Sequence, residues 1–186
     1  MKFEKLAIPE VILIKPNIYK DDRGCFFESY NKKDFFENGI KEEFVQDNQS
    51  VSKKGVIRGL HFQLNPKAQG KLVRVTNGSV IDVAVDIRKN SPTFGMWVQA
   101  WLSNDNGNML YIPPGFAHGF QALNEDVVFC YKCTEFYSKE NERSIRWDDK
   151  DLNISWYWNS GGIIVSEKDK MAPFLKEVIK DINFEY

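Results

Sequence analysis

The sequence is poor in histidine, cysteine and net charge, and it contains no long hydrophobic run. Two histidines and three cysteines occur in 186 residues, and the formal net charge is −1. This balance provides no broad basic field for nucleic acid or an anionic membrane surface, although a few local cations could hold a small anion. No apolar run approaches a membrane span, and the N-terminus lacks a signal-peptide pattern. We therefore predict a cytoplasmic protein that binds neither nucleic acid nor membrane.

The three cysteines argue against both a disulfide framework and a redox site. An odd number without a signal peptide is not typical of a disulfide-stabilised fold. Cys130 and Cys133 have C-x-x-C spacing, but Val127–Tyr137 is rich in β-branched and aromatic residues and predicts a strand. A redox pair needs a helix N-terminus to lower the thiol pKa. Three residues apart on a strand, the two sulfurs would point to opposite faces.

The residues that are abundant predict one folded domain over 1–186. Hydrophobic residues make up 42% and aromatics 14% of the chain, enough for a substantial core. Many short apolar segments are separated by Gly, Pro and Asn turns, a pattern that indicates a mainly β, antiparallel barrel or sandwich with short peripheral helices. We place the domain core at about 11–158 and a C-terminal helical segment at about 166–183.

The clearest local pattern lies between residues 71 and 87. Asn77-Gly78 is a typical hairpin turn, and it joins the predicted strands Lys71–Thr76 and Ser79–Ile87. Period two along the second strand divides its side chains between two faces. One face would carry Ile81, Val83, Val85 and Ile87, and the other Val80, Asp82, Ala84 and Asp86.

Several other elements follow from local signals. Cys25–Tyr30 is predicted as a strand with Glu28 between two aromatics on one face, and 31–38 as a short helix capped by Asn31. The polar run from Phe44 to Ser50 is typical of a loop. Ser166 and Asp169 resemble a capping box, and apolar residues at helical spacing then continue to Ile182.

Both histidines lie among glycines in apolar surroundings, which suggests a shared pocket. His61 belongs to Arg58-Gly59-Leu60-His61-Phe62-Gln63, and His118 lies in the predicted loop Pro113-Pro114-Gly115-Phe116-Ala117-His118-Gly119. Gly59 would allow the backbone to approach a ligand closely. A single histidine in an apolar segment is more often structural, so spacing alone raises a hypothesis without deciding it.

Motifs distributed over about residues 20–170 resemble a known family. Pro113-x-Gly115-x-x-His118 resembles the second cupin motif and implies a jelly-roll barrel. More specifically, the chain resembles the dTDP-4-dehydrorhamnose 3,5-epimerases. The matching segments, in family order, are Asp22-Arg23-Gly24 with Glu28, Phe44–Asn48, Gly55–Gln63, Gln69–Arg74, Asp82–Arg88, Ser91–Gly95, Ile112–Phe120, Ile145–Asp149 and Ser166–Asp169.

The resemblance implies inversion of C3 and C5 in a nucleotide-linked 4-keto-6-deoxy sugar, in the synthesis of cell-surface polysaccharide. A proton next to a carbonyl can be removed only if the resulting enolate is stabilised. The site therefore needs a base, a cation or donor at the carbonyl oxygen, and an acid on the opposite face. This chemistry needs no redox cofactor, and we expect no cofactor at all.

The resemblance also assigns roles to individual residues. It implies that His61 is the base, Asp169 the carboxylate that supports it, Tyr131 the opposing proton donor and Lys71 the group near the keto oxygen. Each of these residues alone is better explained by structure, but their joint occurrence in family order favours catalysis. The implied substrate contacts are Arg23, Glu28, Gln46, Asn48, Arg58, His118, Tyr137 (stacked on the nucleotide base), Glu142 and Lys168.

Two further expectations concern metals and partners. The paired histidines of the first cupin motif are absent because Phe62-Gln63 follow His61, and two histidines in the whole chain cannot supply a typical cupin metal site. We predict no metal. The resemblance implies a homodimer in which an N-terminal segment exchanges into the partner's sheet.

Departures from the family pattern leave the substrate open. Gln49 stands where histidine is common, Cys25 replaces an apolar residue, and Ser155–Trp158 lacks the familiar Trp-Pro. The nucleotide could be dTDP or GDP, the sugar a hexose or a heptose, and the inversion at C3 alone. A ketoisomerase and a non-catalytic, sugar-binding cupin are alternatives from other classes, although the chain keeps the base, its acid and the tyrosine.

Overall fold

The computed structural model describes residues 1–157 and 162–186, and within them two large sheets pack face to face. Trp158, where the domain core was predicted to end, lies outside the described residues. The first sheet contains β1 (Lys2–Lys5), β2 (Ile12–Lys15), β5 (Gln46–Ser52), β7 (Lys71–Asn77), β10 (Met109–Ile112) and β12 (Val127–Cys133), in the spatial order β1-β2-β10-β7-β12-β5.

The second sheet and the remaining elements complete a jelly-roll barrel, so the predicted fold class is confirmed. This sheet contains β6 (Val56–Gln63), β8 (Ser79–Asp86), β9 (Trp97–Ser103), β11 (Phe116–Ala122) and β13 (Glu142–Ser144), in the order β13-β6-β11-β8-β9. The strand β14 (Ile164–Val165) pairs in parallel with β6. The other elements are the hairpin β3 (Tyr19–Asp21) and β4 (Gly24–Phe26) and the helices α1 (Lys32–Glu37), α2 (Glu167–Lys170) and α3 (Leu175–Val178).

The hydrophobic core lies between the sheets, with smaller clusters on their outer faces. Val80 and Ala84 of β8 belong to the central cluster together with Val73 of β7 and Phe129 of β12. The alternate residues of β8 face outward, where α3 and the residues after it cover them. The predicted division of this strand between two faces is therefore confirmed.

The predicted hairpin at Asn77-Gly78 is wrong. β7 and β8 belong to different sheets, and β7 pairs with β10 and β12 while β8 pairs with β9 and β11. Gly78 has φ 81°, as a tight reversal requires, and its N–H donates to Asn104 at 2.9 Å. The turn signal specified the reversal of the chain. It did not specify that the inner faces of the two strands pack across the core instead of pairing edge to edge.

Three other elements differ from the predictions. The predicted strand Cys25–Tyr30 ends at Phe26, which leaves Glu28 exposed beyond β4. The polar run from Phe44 is mostly strand, because β5 pairs along its length with β12. The C-terminal helical segment contains two single-turn helices, α2 and α3, because Pro173 between them has no N–H to continue a helix.

The N-terminal elements include one confirmed prediction. The oxygen of Asn31 accepts hydrogen bonds from the N–H groups of Lys33 and Asp34, so α1 is capped as predicted. β1 pairs with β2 of the same chain. The exchange of an N-terminal segment into a partner's sheet, which the resemblance implied, stays a prediction. Among the described helices, none is long and apolar enough to cross a membrane.

Candidate active site

A cavity of about 520 Å³ lies between the sheets and is lined by groups from both sheets and from α2. Arg58, His61, Lys71, His118, Phe120, Phe129, Tyr131, Lys168 and Asp169 are among the residues that line it. A recess of about 340 Å³ shares His61, Lys71 and Tyr131 with the cavity and extends it toward Gln46, Asn48, Tyr137 and Glu142. The two volumes share three residues and form one site. The predicted shared pocket for the two histidines is confirmed.

The two histidines are direct cross-strand neighbours. His61 of β6 pairs with His118 of β11, so His118 lies within a strand and not in the loop before it, where it was predicted. Gly59 has φ +127°, and a Cβ atom there would lie 2.6 Å from Cα of Gly119. Gly59 therefore permits the close approach of two strands, not the approach of a ligand that the sequence suggested.

Asp169 orients the ring of His61. The Nε2 atom of His61 lies 2.6 Å from Oδ1 of Asp169, and the N–H of Gly59 donates to Oδ2 at 3.4 Å. Burial alone would raise the pKa of Asp169, but the hydrogen bonds from His61, Gly59 and Ser166 outweigh it and hold the pKa below its usual range. The carboxylate is therefore ionised and accepts the proton on Nε2, which leaves Nδ1 of His61 as the nitrogen with a free lone pair.

A second pair, between His118 and Asp82, lies deeper in the barrel. Nε2 of His118 is 2.9 Å from Oδ2 and 3.1 Å from Oδ1 of Asp82. Burial raises the pKa of Asp82 and lowers that of His118, against the attraction between them. Sequence reasoning did not include Asp82 in the site. Its position among Val80 and Ala84 on the inward face of β8 was the signal that could have identified it.

Lys71 and Tyr131 reach the same cavity from the first sheet. Lys71 begins β7, and its Nζ donates to the carbonyl oxygen of His61 at 3.5 Å. Burial lowers the pKa of Lys71, while Cys133, Asp82 and Glu142 act in the opposite direction. Burial raises the pKa of Tyr131, so its phenol keeps its proton at neutral pH.

A row of polar side chains on β5 forms one wall of the site. Alternation along the strand places Gln46, Asn48, Ser50 and Ser52 on the same face. Arg58 is fixed beside this row, since its Nε donates to Oγ of Ser52 at 3.0 Å and its Nη2 to the carbonyl oxygen of Val51 at 3.1 Å. The guanidinium is thereby held at the cavity wall.

Tyr137, Glu142 and Lys168 meet at the rim of the recess. Glu142 accepts from Nζ of Lys168 at 2.7 Å and from the hydroxyl of Tyr137 at 3.2 Å. Burial would raise the pKa of Glu142, but these two partners and His61 lower it overall. Tyr137 is 55% exposed and lines the recess, so its ring is accessible to a ligand.

Arg23 and Glu28 lie apart from this site within one chain. Arg23 is exposed in the β3–β4 hairpin and pairs with Asp21 at 2.6 Å. Glu28 is exposed and accepts from Asn31 at 3.2 Å. Neither residue lines the cavity or the recess, whereas the other eleven predicted site residues do.

The cysteines and possible metal ligands add no second centre. Cys130 and Cys133 lie on β12 as predicted, with Cys133 buried, and all three cysteines are free. Within residues 1–157 and 162–186, no three His, Cys, Asp or Glu side chains gather as a ligand set. That the protein uses no metal stays a prediction, which rests on the scarcity of histidine.

Comparison with known proteins identifies the chain. Residues 5–177 match the family model of dTDP-4-dehydrorhamnose 3,5-epimerase. The chain is 57% identical over 157 residues to the enzyme of that name from Shigella flexneri, which covers 84% of this chain and 87% of the relative. It is 53% identical over 173 residues to the enzyme from Pseudomonas aeruginosa, which covers 92% and 94%.

A solved structure agrees with these sequence matches. The crystal structure of dTDP-6-deoxy-D-glucose-3,5-epimerase from Legionella pneumophila, in complex with dTDP-4-keto-L-rhamnose, superposes with a TM-score of 0.95 at 46% identity. The match covers 100% of this chain and 98% of that one. The fold and the relatives define the class of protein as a cupin-type isomerase of the epimerase kind. The chain belongs to the dTDP-4-dehydrorhamnose 3,5-epimerase family.

Proposed function

We propose that this protein inverts C3 and C5 of dTDP-4-dehydro-6-deoxyglucose without a cofactor and so forms dTDP-4-dehydrorhamnose for cell-surface polysaccharide. One observation carries the proposal: His61, bonded to Asp169, shares a cavity with Tyr131 and Lys71. These side chains provide the base, acid and oxygen-stabilising group that proton exchange beside a carbonyl requires. The matched relatives are named for the same activity, and neither a GDP-linked substrate nor inversion at C3 alone is favoured.

His61 is the proposed base, acting through Nδ1. Because the ionised carboxylate of Asp169 holds the proton on Nε2, Nδ1 can accept the proton from C3 or C5. The imidazolium that forms is stabilised by the same carboxylate, which keeps its own charge throughout. Asp169 is thus a positioning and charge-stabilising group, and the proton does not pass to it.

Lys71 and Tyr131 are proposed to act on the enolate. As negative charge develops on the C4 oxygen, Lys71 stabilises it, and its lowered pKa makes it a ready hydrogen-bond donor. Tyr131 then delivers a proton to the carbon from the face opposite His61, which inverts the centre. The raised pKa of Tyr131 suits this role, because the donor must be protonated before the step.

The remaining polar residues are proposed to hold the nucleotide and the sugar. Arg58 and Lys168 are cations at the wall of the main cavity and suit the diphosphate. Tyr137 offers an accessible ring at the rim of the recess and suits stacking on the thymine base. Asn48, His118 and Glu142 are assigned to the sugar and ribose hydroxyls, which need neutral or acidic hydrogen-bond partners.

The position of Arg23 and Glu28 supports a homodimer in which these residues reach the site of the second copy. The hairpin that carries Arg23 is exposed on both strands, and its Tyr19 and Phe26 are 64% and 69% exposed. Exposed aromatics of this size are typical of an interface. Sedimentation should give twice the 21.6 kDa chain mass, and Phe26→Asp should shift the protein toward monomer and weaken dTDP binding. A wild-type monomer would exclude this arrangement.

The three free thiols fit a reducing compartment, and we place the enzyme in the cytoplasm.

Proton exchange in D2O tests the proposed reaction directly. NMR of dTDP-4-dehydro-6-deoxyglucose incubated with the protein should show deuterium at both C3 and C5. His61→Ala should abolish both exchanges, with a loss of at least about 10³-fold, while circular dichroism shows an intact fold. The GDP-linked sugar, offered in parallel, should exchange far more slowly.

The same experiment can contradict each part of the proposal. Label at C3 alone would identify a single-centre epimerase, and faster exchange with the GDP-linked sugar would reassign the nucleotide. No exchange with either substrate would rule out the activity. If His61→Ala keeps full exchange, another group is the base.

A further inference from the structure

Three glutamine side chains hold the backbone of residues 135–138, the loop that carries Tyr137. We call them the glutamine cluster (Gln46, Gln63 and Gln69). Gln46 comes from β5, Gln63 from the end of β6, and Gln69 from the connection before β7. Together they bond to four consecutive residues of the loop, so both sheets of the barrel are tied to one short segment.

Gln63 makes the largest share of these bonds. Its Oε1 accepts from the N–H of Ser138 at 2.8 Å, and its Nε2 donates to the carbonyl oxygens of Lys67 at 2.6 Å and Phe136 at 3.2 Å. The residue is only 4% exposed. Although Gln63 borders the recess, both N–H groups of its amide are bonded to backbone carbonyl oxygens, so donating to a ligand would require breaking a bond inside the protein.

Gln46 and Gln69 fix the residues on either side of Phe136. Gln69 donates to the carbonyl oxygen of Glu135 at 2.7 Å. Gln46 accepts from the N–H of Tyr137 at 2.9 Å and donates to Asn48 at 3.1 Å. Both ends of the Gln46 amide are therefore bonded within the protein. Its Nε2 has a second N–H facing the recess, and the direct substrate contact that the family resemblance implied stays a prediction.

We propose that Gln63, with Gln46 and Gln69, is a positioning residue that sets the ring of Tyr137 for the nucleotide base. The inference rests on the proposed function, because it takes Tyr137 as the residue that stacks on the base. The ring is mostly exposed and its hydroxyl bonds only to Glu142 among the described residues, so the backbone must supply most of its orientation. The glutamine cluster supplies it, and specificity for a flat base follows from that fixed ring.

Gln121 offers a matched control on the neighbouring strand. It is fully buried in β11, donates to the carbonyl oxygen of Tyr157 at 2.8 Å and accepts from the N–H of Tyr157 at 2.7 Å. Gln121 thus holds a loop by the same chemistry as Gln63, but neither it nor Tyr157 lines the cavity or the recess.

Glutamate substitution separates positioning from general stability. Gln63→Glu keeps the acceptor for the N–H of Ser138 and places a second carboxylate oxygen against the carbonyl oxygens of Lys67 and Phe136. Gln121→Glu makes the equivalent change at the backbone of Tyr157. By calorimetry, Gln63→Glu should raise the Kd for dTDP about tenfold, and the Kd for inorganic pyrophosphate should stay within about twofold of the wild-type value. The KM for the nucleotide sugar should rise about tenfold with kcat within about threefold. Gln121→Glu should lower Tm comparably and leave Kd and KM unchanged.

The outcomes distinguish this inference from the function it rests on. If Gln63→Glu does not fold, Gln63→Met, which removes all three bonds without adding charge, is measured in the same way and should show the same rise in Kd. An unchanged Kd in the folded variant overturns the inference, as does an equal rise in Gln121→Glu or a fall in kcat larger than the rise in KM. If the wild type itself fails to bind dTDP, the proposed function fails and the inference with it.

Discussion

The two histidine–aspartate pairs of the site are built from the same groups in different surroundings. Asp169 lies on the single-turn helix α2, where it accepts from His61 and from the N–H of Gly59. Asp82 lies within β8, and its hydrogen bonds go to His118. The His61 side chain is 32% exposed and that of His118 8%. The pKa of Asp169 is lowered and that of Asp82 is raised.

This difference shows that burial and donor count, not the pair itself, decide which pair can act as a base. An ionised Asp169 holds one tautomer of His61 and would stabilise the imidazolium of this proposed base. The buried pair resists charge on both members, so His118 is suited to hydrogen bonding and not to accepting a proton during turnover.

The largest effect is expected from exchanging each aspartate for asparagine. Asp169→Asn should lower kcat between about 10² and 10⁴-fold, because a neutral amide no longer stabilises the imidazolium and can impose the other tautomer. Asp82→Asn keeps an acceptor for His118 and should lower kcat by about tenfold or less. Steady-state kinetics on both variants measures the contrast, and equal losses would show that both pairs take part in proton transfer.

A smaller effect is expected on the pH dependence of Tm, and it should have opposite signs in the two asparagine variants. The pKa of Asp169 is lower in the folded than in the unfolded protein. Its ionised carboxylate therefore stabilises the fold at pH values above the ordinary Asp pKa, about 4, and this contribution is lost as pH falls through the folded-state pKa. Asp169→Asn should therefore lower Tm at pH 7, with a difference that shrinks in acid. Asp82 has a raised pKa, so its ionisation opposes folding, and Asp82→Asn should raise Tm at pH 7 by about 2–4 °C.

Thermal melts between pH 3 and pH 8 measure both differences. The gain of Asp82→Asn over the wild type should also shrink as pH falls below about 4, because the wild-type carboxyl then becomes protonated in both the folded and the unfolded state. A gain that grows in acid would mean that the pKa of Asp82 is shifted in the other direction.

The smallest effect is expected from Ser166→Ala. The hydroxyl of Ser166 accepts from the N–H of Asp169 and caps α2, whereas Asp82 is held by strand pairing and needs no cap. Loss of the cap should destabilise α2 by about 1 kcal/mol and lower kcat a few-fold. Ser91→Ala, which removes a hydroxyl bonded to Asp86 away from the cavity, is the control for stability alone. A kcat unchanged in Ser166→Ala would show that α2 holds Asp169 without its cap.

The sequence predicts this site better than it predicts the connections between strands. Alternation along β8 identified both of its faces, and the two histidines suggested one pocket, because side-chain direction on a strand is a local property. The partner of a strand is not local. The turn at Gly78 looks the same whether the next strand pairs beside β7 or crosses to the other sheet, so the hairpin prediction failed.

Burial in three dimensions explains the other omissions. Asp82 was assigned to a face but not to the site, because nothing local shows that this face meets His118 within the barrel. Gln46 was predicted as a substrate contact, and its engagement with the Tyr137 loop depends on a residue 91 positions away. The two single-turn helices at the C-terminal end were predicted as one helical segment. The spacing of the apolar residues reflects their packing against the outer face of the sheet, and it does not reveal the break at Pro173.

The helix α2 also sets when the site can exist during synthesis. Asp169 follows His61 by 108 residues, which at 5–20 residues per second corresponds to roughly 5–20 s of translation. Until α2 docks, the imidazole has no carboxylate and the strand β6 lacks the parallel neighbour β14. A nascent chain therefore has the barrel strands β5–β13 before Asp169 can orient His61, the proposed base. We therefore expect a chain that ends before α2 to lack the activity, because the proposed base has no carboxylate partner.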